Sequence, residues 1–383
     1  MILTAKTLYG LEKVLSRELA ALGAENIQAV NRAVTFEGDR YMLYKSNYCL
    51  RTALSVLVQI AVFRIRSAND LYRRCMKIDW SLYLDSRSTF AVSAVVNSPL
   101  FRHSGFAGLR LKDAVADWFR SRTGNRPSVD SDNPDILINL HISNDLVTVS
   151  LDSSTQPLFK RGYRQQQGTA PMNEILAAGI IMISGWNSRV PLIDPMCGSG
   201  TIPVEAALIA SNTPPGKFRK RFGFQKWSDY DKDMFITMKD EAESLIKPCE
   251  GMIFCSDISG DAVELSNANI RSAGLTDMID CRVEDFRNLK APSAEGVVIM
   301  NPPYGQRIRT DDSNEFYGMI GTVLKHGFPG FDAWIISSDR EALKHVGLKP
   351  SAKTTLFNGA LECLLVNYKL YRGSKKHFKD NLF

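Results

Sequence analysis

The chain has 383 residues and a mass of 42.7 kDa, which at about 150 residues per domain suggests two or three domains. Hydrophobic residues make up 44% of the chain and charged residues 23%, values typical of folded globular proteins and not of disordered or membrane-embedded chains. No run approaches the roughly 18 apolar residues of a membrane helix, and the N terminus lacks the compact apolar stretch of a signal peptide. We therefore expect a cytoplasmic protein with no membrane partner.

The net charge of +6 is unevenly distributed along the chain. Residues 1–165 contain 22 Lys and Arg against 15 Asp and Glu, an excess of +7, whereas the remainder contains 25 against 26. Arg supplies 16 of those 22 basic residues, and its planar guanidinium suits bidentate contact with phosphate. A modest excess of this kind is also common on an ordinary solvated surface. Charge alone therefore does not distinguish a nucleic-acid-binding surface from an ordinary solvated one.

The seven cysteines include no Cys-x-x-Cys pair, and the chain has only five histidines. Cys249 and Cys255 are the closest pair in sequence and flank a predicted strand. Neither a disulfide framework nor a zinc site is indicated; small buried residues are the favoured interpretation, and metal ligation is the less favoured alternative.

The first 150 residues alternate strands with amphipathic helices, which predicts a small α+β region. After a short initial strand, the predicted elements are a helix over Gly10–Leu22, a strand over Leu57–Arg66, a helix over Asp70–Lys77, a strand over Thr89–Val96, a helix over Leu109–Thr123, and strands over Asp135–Ser143 and Asp145–Leu151. The polar, turn-rich segment Asp152–Gly168 follows and is interpreted as an interdomain connection.

Beyond this connection, apolar runs rich in Val and Ile alternate with helical stretches, which indicates a parallel sheet covered on both faces. The runs are Val190–Ile193, Met252–Cys255, Ile279–Val283, Gly296–Met300 and Ala333–Ser337, with a last pair inside Thr354–Tyr371. This half is predicted to be a doubly wound α/β domain.

The first of these strands continues into the sequence DPMCGSGTIPVEAALIA, in which Gly198 and Gly200 precede a predicted helix. Glycines allow a ligand to approach the backbone, and a helix N terminus offers unpaired N–H groups. Pro203 stands at the third glycine position of a dinucleotide fingerprint, and the lysine of a P-loop is missing. Nicotinamide and ATP sites are therefore disfavoured.

The arrangement Asp-x-x-x-Gly-x-Gly resembles motif I of the class I S-adenosylmethionine-dependent methyltransferases. The resemblance implies that S-adenosyl-L-methionine is the cofactor, that Asp257 after the second strand holds its ribose hydroxyls, and that Asp285 after the third strand meets its adenine amine. The residues assigned to cofactor binding on this basis are Asp194, Cys197, Gly198, Gly200, Thr201, Asp257, Asp285 and Phe286.

The fourth strand ends in Asn301-Pro302-Pro303-Tyr304. Amide and carbonyl oxygens at a sheet rim can accept hydrogen bonds from an exocyclic amine and so direct its lone pair toward a methyl group. The tetrapeptide resembles motif IV of methyltransferases that act on planar nitrogens, namely adenine N6, guanine N2 or a glutamine amide. We expect Asn301 and the Pro302 carbonyl to hold the amine, Pro302 and Pro303 to stiffen the loop, and Tyr304 to stack on the base. Cytosine C5 chemistry is disfavoured because no cysteine lies near Asn301.

These motifs, with LDSSTQPLFKRGYR and APMNEILAAGII ahead of them, resemble the bacterial THUMP-domain methyltransferases that make N2-methylguanosine in 23S ribosomal RNA. The resemblance implies a class I methyltransferase domain with a seven-stranded Rossmann-like sheet, preceded by ferredoxin-like and THUMP domains that bind RNA. The expected boundaries are 1–57 for the ferredoxin-like segment, 58–153 for THUMP, 154–168 for the linker and 169–383 for the methyltransferase domain. Some relatives carry a second, 7-methylguanosine-forming domain, which we expect this chain to lack.

Basic residues near the linker and in PPGKFRKRFGFQKW are candidates for RNA contact, because cations interleaved with aromatic rings suit phosphates and bases. The alternative is a basic surface loop whose aromatic rings pack on the protein. The candidate RNA-binding residues are Lys160, Arg161, Arg164, Lys217, Arg219, Lys220 and Arg221.

Three functions stay open at this point. The first is guanine-N2 methylation of 23S rRNA, either as naked RNA or in a large-subunit assembly particle. The second is guanine-N2 methylation of tRNA, and the third is an RNA-binding or assembly factor with an inactive methyltransferase fold. The oligomeric state is not predicted.

Overall fold

A computed structural model describes residues 1–164, 172–249, 252–303 and 310–372. The chain divides into two units. The first unit comprises residues 1–7, 15–160 and 219–241, and the second comprises residues 8–14, 161–218 and 242–383.

The first unit is built on one mixed sheet of eight strands. These strands are β1 (Ile2–Lys6), β2 (Glu25–Val30), β3 (Ala33–Glu37), β4 (Ser55–Arg64), β5 (Thr89–Asn97), β6 (Ser128–Val129), β7 (Ile136–Ser143) and β8 (Leu146–Asp152). Their order across the sheet is β2-β3-β1-β4-β8-β7-β5-β6. The expected boundary between residues 57 and 58 falls inside β4, which pairs with both β1 and β8. The residues on the two sides of this expected boundary therefore share one continuous sheet.

Four helices occur in the described chain before residue 165. They are α1 (Glu12–Leu22), α2 (Arg40–Cys49), α3 (Ala68–Cys75) and α4 (Ser104–Thr123). Side chains cap two of them, since Asp39 accepts the backbone N–H of Met42 at 2.8 Å and Ser67 accepts that of Asp70 at 3.1 Å. The helix α4 begins at Ser104, five residues before the predicted start. The sequence did not reveal this start because His103, the residue before the helix, forms no side-chain capping hydrogen bond.

The second unit contains a seven-stranded sheet that confirms the predicted fold class. Its strands are β9 (Leu192–Asp194), β10 (Ile253–Asp257), β11 (Ile279–Val283), β12 (Gly296–Met300), β13 (Phe331–Ser337), β14 (Ala352–Asn358) and β15 (Leu361–Lys369). The order is β11-β10-β9-β12-β13-β15-β14, with β15 antiparallel to both of its neighbours. The order reverses at β9, which pairs with β10 on one side and β12 on the other. Ligands of open α/β sheets bind at the strand carboxyl ends beside such a switch point.

The remaining helices of the described ranges are α5 (Glu174–Ser184), α6 (Thr201–Ala210), α7 (Lys232–Ser244), α8 (Gly260–Ser272) and α9 (Thr310–Gly327). One core of the second unit packs strand residues such as Val298 and Ile335 against α9, where Tyr317 and Ile320 are fully buried. Within the described ranges, no helix is long and apolar enough to cross a membrane.

Segment 219–241 packs with the first unit. Phe222 and Phe224 are buried in it and stack on each other with ring centroids 5.4 Å apart. Phe224 also stacks on Tyr44 of α2 at 4.5 Å. These aromatic contacts, which local sequence does not reveal, hold the segment in the first unit.

Candidate active site

The turn after β9 forms one wall of the candidate site. Gly198 and Gly200 have φ angles of +54° and +76°, the left-handed region that glycine adopts without strain. A Cβ atom at Gly200 would collide with the Ser266 hydroxyl, so this position also needs the absence of a side chain. Gly200 caps α6, which begins at Thr201, and the first N–H groups of that helix therefore lie beside the turn.

Asp194, the last residue of β9, is 1% exposed. Its Oδ1 accepts the Met196 backbone N–H at 3.3 Å. Burial raises the pKa of this carboxyl well above its ordinary value of 3.8, and the charge of Asp257 raises it further. Burial therefore favours the neutral form of Asp194 relative to an exposed carboxyl group.

Asp257 ends β10 and connects two turns. Its Oδ2 accepts the Gly198 N–H at 3.0 Å and its Oδ1 accepts the Ser259 N–H at 3.0 Å. The next residue, Ile258, is 68% exposed and lines the same cavity as Asp257. This strand end therefore offers a carboxylate beside an apolar surface.

Asp285 and Phe286 follow β11. Asp285 caps a short 3₁₀ helix through the Arg287 N–H at 2.9 Å, and it pairs with the Arg287 guanidinium, whose Nε lies 3.0 Å from Oδ2. These hydrogen bonds from Arg287 lower the pKa of Asp285, which favours the charged form. Phe286 is buried and stacks on Phe328 at 6.1 Å.

Asn301 follows the last residue of β12 and is half-buried. Its Oδ1 is buried, and among the described residues nothing donates a hydrogen bond to it. A buried acceptor without a donor costs about 1–3 kcal/mol, so an unmet acceptor in a cavity indicates a place for a donor from outside the chain.

These strand ends enclose a cavity of about 850 Å³. The structure brings most of the predicted site residues to this cavity, whereas Gly200 and Pro302 do not line it and Tyr304 lies outside the described residues. The predicted residues that line it are Asp194, Cys197, Gly198, Thr201, Asp257, Asp285, Phe286, Asn301 and Pro303.

A cluster of three thiols, which the sequence did not predict, lies beside the turn after β9 (residues 195–200), here called the cofactor turn. Cys197 in the turn, Cys255 on β10 and Cys281 on β11 have Sγ atoms that all lie within 4.8 Å of one another. Hydrogen bonds with Cys197 and Cys255 lower the pKa of the Cys281 thiol. The signal was present in the sequence, since in-register parallel pairing of the two predicted strands sets Cys255 opposite Cys281.

The prediction that Arg161 contacts RNA does not hold. Arg161 is 2% exposed and forms a fully buried ion pair with Glu205 of α6, at 3.3 Å between Nε and Oε1. The Tyr163 hydroxyl donates to the same carboxylate at 3.2 Å, and burial raises the pKa of Tyr163 well above 10. A phosphate cannot reach a guanidinium in this position.

Arg164 is also engaged within the protein. Its side chain is 10% exposed, pairs with Glu174 at 2.9 Å, and donates to the Thr201 hydroxyl at 3.0 Å and the Ser199 hydroxyl at 3.3 Å. Ser199 and Thr201 flank Gly200, so Arg164 supports the cofactor turn. This role replaces the predicted RNA contact.

The basic-aromatic segment is partly internal. Arg219 donates to the carbonyl oxygens of Gln156, Pro157 and Lys160 at 2.9–3.1 Å and lies over the Phe222 ring. For Phe222 and Phe224 the packing alternative is confirmed, because neither ring has a face free for a base.

The other basic candidates lie at the surface. Lys217 pairs with Glu243 at 3.6 Å, and the exposed Arg221 donates to Asn133 at 2.8 Å. Lys160 and Lys220 are exposed. These four side chains are accessible to RNA.

The sheet order, the glycine turn and the carboxylates at successive strand ends define a class I methyltransferase fold. Three family models match the chain: an RMKL-like methyltransferase domain over residues 161–367, a THUMP domain over 66–152 and an RlmL ferredoxin-like domain over 2–57. The chain belongs to the RMKL-like methyltransferase family.

Similar proteins cover nearly the whole chain. A Synechocystis protein named "Putative RNA methyltransferase slr0064" is 38% identical over 364 residues, which is 94% of this chain and 95% of that protein. The "Ribosomal RNA large subunit methyltransferase K/L" of Psychromonas ingrahamii is 37% identical over 95% of this chain, and the match spans 49% of that longer protein. The crystal structure of SMU.472, described as "a putative methyltransferase complexed with SAH", superposes with a TM-score of 0.87 at 28% identity, covering 97% of this chain and 99% of that one.

Proposed function

We propose that this protein transfers a methyl group from S-adenosylmethionine to the exocyclic N2 of a guanosine in 23S ribosomal RNA. The observation that carries the proposal is the unmet acceptor of Asn301, which lines the same cavity as the glycine turn and Asp257. The amine of a planar base is the kind of donor that such an acceptor binds.

The cavity suits S-adenosylmethionine in size and chemistry. Its volume of about 850 Å³ lies within the roughly 300–1,000 Å³ of small-molecule sites. Asp257 would accept hydrogen bonds from the ribose hydroxyls, Ile258 and Phe286 would contact the adenine, and N–H groups at the start of α6 would face the methionine carboxylate. The match with a solved relative that holds S-adenosylhomocysteine supports the same assignment.

When bound, the cofactor supplies an electrophilic methyl group on a positively charged sulfur. Asn301 Oδ1, which lines the cavity, would accept an N–H group of the guanine amine and so direct the nitrogen lone pair at the methyl carbon. Attack by the guanine nitrogen would form the new nitrogen–carbon bond as the carbon–sulfur bond breaks and leaves its electron pair on sulfur, and the surplus proton would pass from nitrogen to water. Because positive charge is lost from sulfur as nitrogen attacks, positioning supplies most of the catalysis and no strong base is needed.

The choice of RNA rests on three supports. The THUMP match covers residues 66–152, the N-terminal part carries the basic excess, and two relatives are named as RNA or ribosomal RNA methyltransferases. Lys160, Lys217, Lys220 and Arg221 are the basic side chains that we assign to RNA contact. The partner is 23S rRNA, either naked or in a large-subunit assembly particle.

The test is transfer of labelled methyl from S-adenosylmethionine to 23S rRNA and to bulk tRNA that both lack modifications, with nucleoside analysis of the products. N2-methylguanosine in 23S rRNA is the expected product. The same nucleoside in tRNA alone would establish the tRNA enzyme instead. Labelled N6-methyladenine would keep the amine chemistry and overturn the guanine assignment.

Absence of product needs a second measurement. If neither RNA nor an undermethylated large-subunit particle is modified, and S-adenosylhomocysteine does not bind the chain, the protein is an RNA-binding factor with an inactive fold. Asn301→Ala is the matched control for the transfer assay, since it removes the amide that positions the amine but leaves the cofactor turn unchanged.

A further inference from the structure

We propose that Cys197, Cys255 and Cys281 form a binding site for one soft, thiophilic metal ion of the closed-shell class that includes Cu(I) and Zn(II). Nothing in the methyl-transfer reaction uses these thiols together. The metal site does not rest on the proposed function, so either proposal can fail while the other stands.

The distances fit a single ion. A metal–thiolate bond is about 2.3 Å, so three sulfurs around one trigonal ion lie roughly 4 Å apart. The three Sγ atoms already lie within 4.8 Å of one another. Movements well below 1 Å at each sulfur, within the reach of small side-chain rotations, would close this difference.

The backbone holds the three cysteines in place from separate elements. Cys255 and Cys281 are partners in the parallel pairing of β10 and β11, so their side chains leave the same face of the sheet. The Cys197 N–H donates to the Ser256 carbonyl oxygen at 2.9 Å, which fixes the cofactor turn against β10. A site assembled by the sheet before the ion arrives loses little entropy on binding.

The donor set selects the kind of ion. Three sulfurs favour soft cations and disfavour Mg²⁺ or Ca²⁺, which prefer oxygen ligands. Among the described residues, no His, Asp or Glu joins the three cysteines in the cluster. A three-sulfur site suits Cu(I) directly, whereas Zn(II) would need a fourth ligand such as water.

An ion can reach the sulfurs from two sides. Cys197 lines the 850 Å³ cavity, and Cys281 is half-buried on β11 at the edge of the sheet. A bound ion would tie the cofactor turn to both strands. Ion binding and cofactor binding would therefore be linked, with each changing the affinity of the other by the same factor.

The experiment titrates the full, reduced chain with Cu(I) in the absence of oxygen, with a chromophoric Cu(I) chelator as competitor, and repeats the titration with Zn(II). The expected result is one ion per chain for the wild type, with a thiolate-to-copper absorption band for Cu(I). Cys281→Ser should reduce the affinity at least tenfold. The matched control Cys249→Ser, which alters a half-buried cysteine of the same unit outside the cluster, should bind like the wild type.

Cys281→Ser is the safest of the three changes, because Cys281 is half-buried while Cys255 and Cys197 are buried. Its fold is checked by S-adenosylhomocysteine binding and by the melting temperature. If the variant fails to fold, alkylation of the wild type replaces it: the bound ion should protect the half-buried Cys281 from iodoacetamide while Cys249 still reacts.

Three outcomes would overturn the site: no ion bound to the wild type, equal binding by a folded Cys281→Ser, or equal alkylation of Cys281 in the loaded and the metal-free chain. Stoichiometric binding of either ion supports it. Tighter Cu(I) binding identifies a three-sulfur site, and tighter Zn(II) binding identifies a site completed by a fourth ligand.

Discussion

Two sets of polar residues, both singled out by their sequence, differ in how their hydrogen-bonding groups are used. At the carboxyl edge of the second unit's sheet, Asp257 faces a cavity and Asn301 keeps a buried acceptor that no described residue satisfies. In the linker, Arg161 forms an ion pair with Glu205 and Arg164 forms one with Glu174. The first set is open to a ligand, and the second holds the protein together.

The difference shows which residue roles can be predicted from a sequence motif and which cannot. Residues at successive strand ends of a parallel sheet meet at one edge whatever the details of packing, so their placement follows from topology. Whether an arginine faces solvent depends on whether a distant carboxylate reaches it. The Glu205 that neutralises Arg161 is 44 residues away and carries no local signal.

The largest effect is expected for the internal set. Arg161→Met leaves the Glu205 carboxylate, which is 0% exposed, without its ion-pair partner, and breaking a buried pair in this way costs about 3–5 kcal/mol. Chemical denaturation should therefore show a large fall in the free energy of unfolding. Arg340→Met, which breaks the exposed pair with Glu362, is the matched control and should cost less than about 1 kcal/mol. Equal losses from the two variants would remove the contrast between the two sets.

The open set is tested most directly by Asn301→Ala. We expect the rate of methyl transfer to fall by about 10²-fold or more, because the amine loses its positioning acceptor. Binding of S-adenosylhomocysteine should stay within about twofold of the wild type, since no described contact links Asn301 to the cofactor turn. Calorimetry and a single-turnover assay measure the two quantities separately. Equal loss of both would refute the assigned role.

Asp257→Asn should act on the cofactor instead. The variant keeps the shape but loses the charge that accepts the Gly198 N–H and would accept the ribose hydroxyls. A charge-assisted hydrogen bond contributes about 2 kcal/mol, so affinity for S-adenosylhomocysteine should fall about 30-fold. Asp261→Asn, at another carboxylate that lines the cavity, should have the smaller effect. The reverse order would show that the ribose contact had been assigned to the wrong residue.

The strands of the second unit were predictable because their signal is local. Both β11 and β12 lie at the residues predicted for them, and β12 is a short apolar run of Val, Ile and Met bounded by polar and turn-forming residues. The first unit was harder to predict from the sequence. For example, α2 lies in a stretch for which the sequence pattern predicted no individual helix. Its buried face includes Tyr44 and Tyr48, whose burial depends on aromatic partners far along the chain, namely Phe222, Phe224 and Phe235.

The candidate site was predicted as a set of strand ends but not as a set of contacts. The sequence placed Asp194 and Asp257 at one edge, yet it could not show that burial raises the pKa of Asp194. The thiol cluster was missed because cysteines 58 and 26 residues apart become neighbours only through strand register. Side-chain partners brought together by tertiary packing are the part that sequence patterns leave out.

Burial of Asp194 predicts a specific pH dependence. Because its pKa is raised in the folded state, the folded chain holds more protons than the unfolded chain above 3.8, and stability falls as pH rises through the folded-state pKa. Asp194→Asn removes this contribution, so the stability of the variant relative to the wild type should increase with pH, by at most about 1.4 kcal/mol per pH unit. Urea unfolding at several pH values measures the difference. Asp277→Asn at the exposed surface is the control, and parallel curves for wild type and Asp194→Asn would contradict the prediction.

The smallest effect concerns the surface cations that remain candidates for RNA contact. Lys220 and Arg221 are both exposed, so the double variant Lys220→Gln and Arg221→Gln should flatten the plot of log binding constant against log salt by up to about 0.9 for each phosphate that is no longer neutralised. Lys349→Gln, at an exposed lysine outside the segment, should leave the slope unchanged. Arg219→Gln should lower stability instead, because its guanidinium is already bonded to three carbonyl oxygens. An unchanged slope in the double variant would show that Lys220 and Arg221 neutralise no RNA phosphate. They would then be ordinary solvated side chains of the protein surface.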